Sequence, residues 1–545
     1  MNLTLRLYVN ICFLYDSSIT MIRIFYCLFI VLCLGSIFVC SRQFTDSYII
    51  PKWYFVLFMS LVVSVYEATR ILFSKKIRTA ILIQGTIIVV SCFLQAMLGV
   101  VQFFGLFQAS TAFKVTGSFD NPAGFAACLC AGFPFVGFLL SDNNKYLRYV
   151  GGLIGLVIVV AVILSQSRAG IMSIAFICFI FLNMKFFHER WVKYLSLVCF
   201  ALLLSGCYWM KKDSADGRLL IWRCSADMVK DAPWFGHGIG SFEARYMDYQ
   251  ADYFRQHGQN RYSILAGNVK HPFNEYLGVL LNFGFVGLLV MLAIITLIMY
   301  CYKKHPCLEK RIALYSLISI GLFSFFSYPF TYPFTWIVTF LCIVILTREY
   351  VAMILARPMI KNTICVFVLL CSLGGIYKLV ERVMVEKEWG KMSGLALCGA
   401  SGKTLQDYKE LEKKFEDNPY FLYNYAAILL ENKQYEESLR VALQCRKYWA
   451  DYDLELIIGE NYQELDEHGL AEKYYDNASM MCPSRFIPLY KLFHLYKDMG
   501  NRERMLDTAG AIIDKPVKIK TSAIRMMKRE MEREQVQLLI EENSK

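Results

Sequence analysis

Apolar runs separated by short polar breaks fill the first 380 residues, and then the pattern stops. Runs of about 18 or more apolar residues are long enough to cross a bilayer as helix. Eleven can be drawn, over 22–40, 53–73, 79–104, 119–140, 149–164, 169–184, 194–210, 273–300, 312–327, 334–347 and 363–380. Only one polar interruption is long, residues 211–272, between the seventh and eighth spans. The pattern predicts an all-α chain. A polytopic bundle of about eleven transmembrane helices occupies 22–380 and carries a large loop at 211–272, and a soluble helical domain follows over 386–545. Residues 1–21 stand apart as an N-terminal segment, with an upstream start site as one reading.

Beyond Lys378 the chain is charged and helical in pattern, and it repeats with a period of about 34 residues. Leu422, Tyr425-Ala426, Leu429, Tyr435 and Leu439 mark a first unit. Gly459, Tyr462, Ala471, Tyr475, Ala478 and Pro483 mark a second, and Leu492, Tyr496, Gly500 and Pro516 a third. Stacked helix pairs are the physical meaning of such a period, with small residues where paired helices approach closely. The units resemble tetratricopeptide repeats, which implies an α-solenoid that binds peptides or proteins and performs no catalysis. Generic amphipathic helices are the alternative.

Composition agrees with the membrane reading, since 56% of residues are hydrophobic and only 19% charged. A net charge of +12 raises nucleic acid as a partner, but the basic residues sit in short loops between spans, so none is expected. Alternate short loops carry fifteen Lys and Arg on one side, including Lys75, Lys76 and Arg78, against four on the other. The basic side is therefore cytoplasmic, which puts the N-terminus inside and both the 211–272 loop and the C-terminal domain outside. CLGSIFVC offers no small-x-small cleavage site after the first apolar run, so that run reads as an uncleaved helix. The 19 cysteines form no CxxC pair and lie mostly in apolar spans, where cysteine packs as a small hydrophobe.

Candidate chemistry gathers in four stretches. VTGSFDNPAGFAA (115–127) carries turn residues and a Pro suited to a first helical turn, and alone it reads equally as a tight start to a membrane helix. SQSRAG (165–170) sets Arg168 between two spans with almost no loop around it. A charge there either acts on a ligand or snorkels to water. In GRLLIWR (217–223), Arg218 and Arg223 are five residues apart, roughly 140° around a helix, so they would flank a ligand. Guanidinium groups make bidentate, permanently charged contacts to phosphate. The bland alternative is an amphipathic helix on the membrane surface, with Trp222 and Trp234 as interfacial anchors. GHGIGSF (236–242) is a glycine-rich turn with no strand before it, too weak for a nucleotide loop. HPFNEYLGVLLNFGFVGLL (271–289) opens the eighth span. His271 could take a proton from a hydroxyl near neutral pH, with Asn274 and Glu275 to orient it or the acceptor, although a lone His is often structural. No HEXXH and no His/Cys/Asp cluster with metal spacing occurs, so neither metal nor cofactor is expected.

In this order, GSFDNPAGFAA, SQSRAG, GRLLIWR, PWFGHGIGSF and HPFNEYL with FGFVGLL resemble the O-antigen ligase family over roughly residues 80–350. That family holds O-antigen ligases, O-antigen polymerases and bacterial O-oligosaccharyltransferases. The resemblance implies transfer of a glycan from an undecaprenyl-diphosphate donor to an acceptor hydroxyl on the periplasmic face of the inner membrane, without metal or nucleotide sugar. It assigns Arg168, Arg218 and Arg223 to the donor diphosphate and His271 to the base, with Asn274 and Glu275 beside it. The acceptor it implies is a lipid A core, a growing glycan or a protein hydroxyl, with a protein partner for the repeats. Two positions depart from the family pattern: Phe273 stands where a His often precedes the Asn, and Ala123-Gly124 replace the usual Asn-His. Two rivals come from other classes. One is a transporter of lipid-linked glycans that makes no bond, and the other is a non-catalytic scaffold acting through the repeats.

Overall fold

The computed structural model describes residues 17–73, 81–108, 113–185, 190–210 and 212–543. Most of the N-terminal segment and the loop bearing Lys75, Lys76 and Arg78 lie outside the described residues. Each of the eleven apolar runs is a helix. They are α1 (Ser17–Phe38), α2 (Ile49–Phe73), α3 (Ile81–Phe103), α4 (Pro122–Gly132, continued to Leu140), α5 (Lys145–Leu164) and α6 (Arg168–Lys185). After α7 (Arg190–Met210) come α8 (Lys212–Asp231) and α9 (Ser241–His257) of the polar loop, then α10 (Glu275–Lys304), α11 (Leu308–Ser324), α12 (Pro333–Leu355) and α13 (Pro358–Leu395). Eight of the eleven are long and apolar enough to cross a membrane. Of the other three, α6 is a shorter apolar helix, and α11 has Glu309, Lys310 and Arg311 in its first turn. No strand occurs among the described residues. The protein is an all-α, multi-pass membrane protein.

The described chain divides into two compact units. The first holds residues up to Trp209, Phe273–Glu275 and Val290–Gly390. Its centre is α4, buried from Gly124 to Gly132 and packed against α3, α6, α11 and α12. In an apolar bundle, hydroxyls find backbone carbonyls on neighbouring helices. Ser316 Oγ donates to Ala131 O at 2.7 Å, Ser319 Oγ to Cys130 O at 2.8 Å, and the Ser173 and Ser319 hydroxyls meet at 2.8 Å. Glycine lets large rings approach: a Cβ on Gly99 would fall 2.3 Å from the Phe125 ring.

The second unit holds Met210–Pro272, Tyr276–Leu289 and Lys391–Lys545. After α14 (Ser401–Leu411) come three helix pairs: α15 (Pro419–Glu431) with α16 (Tyr435–Arg446), α17 (Tyr452–Glu464) with α18 (His468–Met481), and α19 (Ile487–Asp498) with α20 (Arg502–Asp514). A last helix, α21 (Ser522–Asn543), covers α20. The pairs recur at the expected period of about 34 residues. Small residues sit where expected, since a Cβ on Gly459 would meet the Tyr475 ring at 2.6 Å.

Two features differ from the sequence division. The expected boundary at residue 386 falls inside α13, because hydropathy changes there while helix-forming residues continue. The 211–272 loop, grouped by sequence with the membrane bundle, packs with the C-terminal pairs. Helix α9 lies on α18 and buries Tyr246, Met247 and Phe254. Gln250 Nε2 donates to Met481 O at 2.6 Å, Ala450 N–H to Glu243 O at 2.9 Å, and Asn268 Nδ2 to Asp451 Oδ2 at 2.7 Å. Apolar positions on one face of a polar helix need a partner surface, and the repeats supply it.

Candidate functional site

In the first unit, the stretch before α4 is fixed by buried polar side chains. Asn121 caps the helix, accepting from Ala123 N–H at 2.8 Å and Gly124 N–H at 3.1 Å, with Pro122 at the first helical position. Gln102 accepts from Thr116 and Gly117 N–H and donates to Gly117 O. Lys52, also buried, donates to Ser118 O at 2.9 Å. Gly124 lies under Tyr332, whose ring a Cβ would meet at 2.5 Å. Sequence reasoning passed over Asp120 here. Asn121 Nδ2 donates to its carboxylate at 2.6 Å.

Arg168 opens α6 and is only 9% exposed, so it is not a snorkelling side chain. The tight turn before it needs Gln166 at φ 54 and is closed by Ser165 Oγ donating to Val162 O at 2.7 Å. Gly170 lets the start of α6 press on α4, where a Cβ would come 2.9 Å from Ala126 Cβ. Glu275 Oε1 accepts from Phe330 N–H at 3.2 Å. Phe273 takes φ 52, a left-handed conformation rare for an aromatic residue, and packs edge-on against Tyr328 with ring centroids 5.3 Å apart.

In the second unit, α8 presents the two arginines differently. Trp222 Nε1 donates to Pro272 O at 3.0 Å, which ties α8 to the segment that carries His271. Arg218 lies one turn earlier on the face of Trp222 and is half-buried. Arg223 is exposed and stacks its guanidinium 5.2 Å from the Tyr253 ring centre on α9. Of the other cations, Arg255 pairs with Asp252 at 2.9 Å and donates to Asn477 at 2.7 Å. Arg261 stacks on its neighbour Tyr262.

Two of the three histidines of the polar segment are held by backbone carbonyls. His237 Nε2 lies 2.8 Å from Met228 O, so that nitrogen carries the proton and Nδ1 accepts from Arg245 Nη1 at 3.4 Å. His257 Nδ1 donates to Tyr253 O at 2.9 Å. Both rings are held to backbone carbonyls, and His271 is the histidine that the sequence motif offers as a base. Burial first, and Lys270 second, lower its pKa below the ordinary imidazole value. Lys270 itself lies between two rings of the helix pairs, 4.5 Å from the Tyr420 centroid and 4.7 Å from that of Trp449.

The O-antigen ligase family model matches residues 123–292. Over that stretch the chain is similar to the O-antigen ligase family. No curated protein matches the chain. The match supports a membrane glycosyltransferase of the ligase and polymerase type, a family whose substrates are in general a lipid-linked glycan and an acceptor.

The matched stretch contains all six residues singled out in the sequence. Arg168, Asn274 and Glu275 belong to the first unit, and Arg218, Arg223 and His271 to the second. Within the second unit, the Trp222 bond brings the Arg218 face of α8 to the His271 segment, whereas Arg223 turns to α9. Sequence reasoning missed the indole link and the Lys270 clamp. Neither has a local signal, because the partners lie 50 and about 150 or more residues away in the chain.

Proposed function

We propose that this protein is a member of the O-antigen ligase family and transfers a glycan from an undecaprenyl-diphosphate donor to an acceptor hydroxyl on the periplasmic face of a bacterial inner membrane. His271 takes the proton of the acceptor hydroxyl, and the oxygen attacks the anomeric carbon. The bond from that carbon to the diphosphate breaks, and undecaprenyl diphosphate leaves. Arg168, Arg218 and Arg223 bind the diphosphate oxygens and offset the charge that grows on them. Asn274 and Glu275 orient the base or the acceptor.

One observation carries this reading: the family match over residues 123–292, within which all six residues fall. The lowered pKa of His271 supports it, since only a neutral imidazole accepts a proton. Orientation rests on the excess of basic residues in alternate short loops. The helix pairs over 386–545 are tetratricopeptide-type repeats in this reading, and they hold a protein acceptor or partner on the same face.

The test is transfer by the purified full chain, given undecaprenyl-diphosphate glycan with lipid A core, glycan and protein acceptors in separate reactions. Product with the wild type, and little with His271→Ala or Arg218→Ala, is the expected result, and the reacting tube names the acceptor. Undiminished product from both variants removes the residue assignments. No product with any acceptor, together with glycan-lipid movement across proteoliposomes, means a transporter.

A further inference from the structure

Helix α10 is 30 residues long and apolar enough to span a bilayer, yet Gly284 breaks it at φ 63, ψ −161. In an unbroken helix the N–H groups of Phe285 and Val286 would bond to the carbonyls of Leu281 and Asn282. Here the turn at 233–238 is spliced into that gap. Phe285 N–H donates to Pro233 O at 2.8 Å and Val286 N–H to Trp234 O at 3.1 Å. The two vacated carbonyls accept from the turn instead, Leu281 O from His237 N–H at 2.8 Å and Asn282 O from Gly238 N–H at 3.1 Å. Ser241 Oγ adds a bond to Asn282 Oδ1 at 2.9 Å.

All four backbone groups opened by the break are thereby satisfied without water. Apolar surroundings demand this of a broken membrane helix. The splice also fixes depth, because the turn must lie wherever residues 281–286 of α10 lie. From residue 232 to 242 the chain carries no Asp, Glu, Lys or Arg. It instead exposes Trp234 at 66%, Phe235 at 76% and Ile239 at 86%. Trp234 meets Phe285 of α10 edge-on at 6.1 Å, so this apolar surface continues onto the exposed helix side chains Phe283, Phe285 and Leu289. Large exposed apolar patches on a soluble surface are uncommon and mark an interaction site.

We infer that the 233–240 turn is immersed in the bilayer, with Trp234, Phe235 and Ile239 packed among phospholipid acyl chains below the headgroups. Continuity with a membrane-spanning helix selects lipid as the occupant. The turn thus holds α8 and α9, which flank it, against the membrane surface. This inference does not depend on the transfer chemistry.

Photocrosslinking in proteoliposomes tests it. p-Benzoylphenylalanine replaces Phe235 or Ile239 in the full chain reconstituted with radiolabelled phosphatidylcholine, with Leu289 on α10 and the exposed Gln256 on α9 as reference positions. Lipid adducts at 235 and 239 within about two-fold of Leu289, and only background at Gln256, are expected. Adducts to protein at 235 and 239, including a second copy of the chain, overturn the inference, as does a Gln256-like background while Leu289 still labels. Should the probes unfold the turn, tryptophan quenching by dibrominated phosphatidylcholine decides instead. Wild type should lose more emission than Trp234→Phe, and equal fractional quenching overturns the immersion.

Discussion

A Cβ built on Gly284 would lie 2.3 Å from both the carbonyl carbon and the carbonyl oxygen of Trp234. Gly236 answers it from the other side, where a Cβ would come 2.6 Å from Leu281 O. Two backbones therefore touch with no room for side chains, and two glycines of the PWFGHGIG and FGFVGLL motifs make the approach. Gly284 also occupies a backbone region that is essentially closed to other residues.

Gly284→Ala should cost about 3 kcal/mol or more, from forbidden backbone plus the collision with Trp234. A fall in the melting temperature of detergent-purified protein checks this. Gly152 is the control, since nothing lies within 4 Å of its Cβ position in α5, and Gly152→Ala should leave the melt unchanged or raise it. Equal melts for the two variants would show that the splice does not hold the helix break.

The arginines of the polar segment should separate by what they already touch. Arg218→Ala should reduce glycan transfer by about 10² or more, as expected for loss of a donor to developing charge. Arg255 spends its charge on Asp252 and its hydrogen bonds on Asn477, so Arg255→Ala should leave transfer within about two-fold. Equal losses from the two substitutions would point to a diffuse electrostatic role for the segment.

The pH profile should report Lys270. A cation beside an imidazole disfavours its protonated form, and burial does the same, so the acid limb of kcat/KM should lie below the ordinary imidazole pKa of about 6.5. Lys270→Gln removes one of the two causes, which raises the His271 pKa and moves the acid limb to higher pH. Trp449→Ala, which frees Lys270 from one face of its clamp, should move it in the same direction by less. A limb that stays in place in Lys270→Gln, with activity retained, would disconnect the two side chains.

Arg446 of α16 bridges Asp248 on α9 and the buried Glu455 on α17. Arg446→Ala strands the Glu455 carboxylate with Asn477 Nδ2 as its remaining donor, at 2.9 Å, and should destabilise the unit by about 3–5 kcal/mol. Adding Glu455→Gln removes the stranded charge and should recover part of that loss, which a double-mutant cycle of thermal melts measures. The same linkage predicts that truncation after residue 390 damages the 212–272 segment itself, by exposing Tyr246, Met247 and Phe254.

Much of this architecture is legible in residue order alone because its causes are local. The eleven apolar helices follow from run length, and the Asn121-Pro122 cap from residues within one turn of each other. The glycine turn before α9 and the three helix pairs follow from spacings of a few to about 34 residues. Local pattern also kept Arg168, Arg218, Arg223 and His271 in view together. Other features needed the folded chain. The polar loop's packing onto the C-terminal pairs joins Gln250 to Met481, which are 231 residues apart. The clamp on Lys270 by Tyr420 and Trp449 likewise depends on neighbours brought close by folding. The splice at Gly284 rests on backbone hydrogen bonds between stretches about 50 residues apart, and such bonds impose no periodicity on the residues that make them. Hydrophobic period and capping are written in neighbouring side chains. Which polar surface covers which, and which charged group stays available for chemistry, is decided only when distant segments compete for the same donors and acceptors.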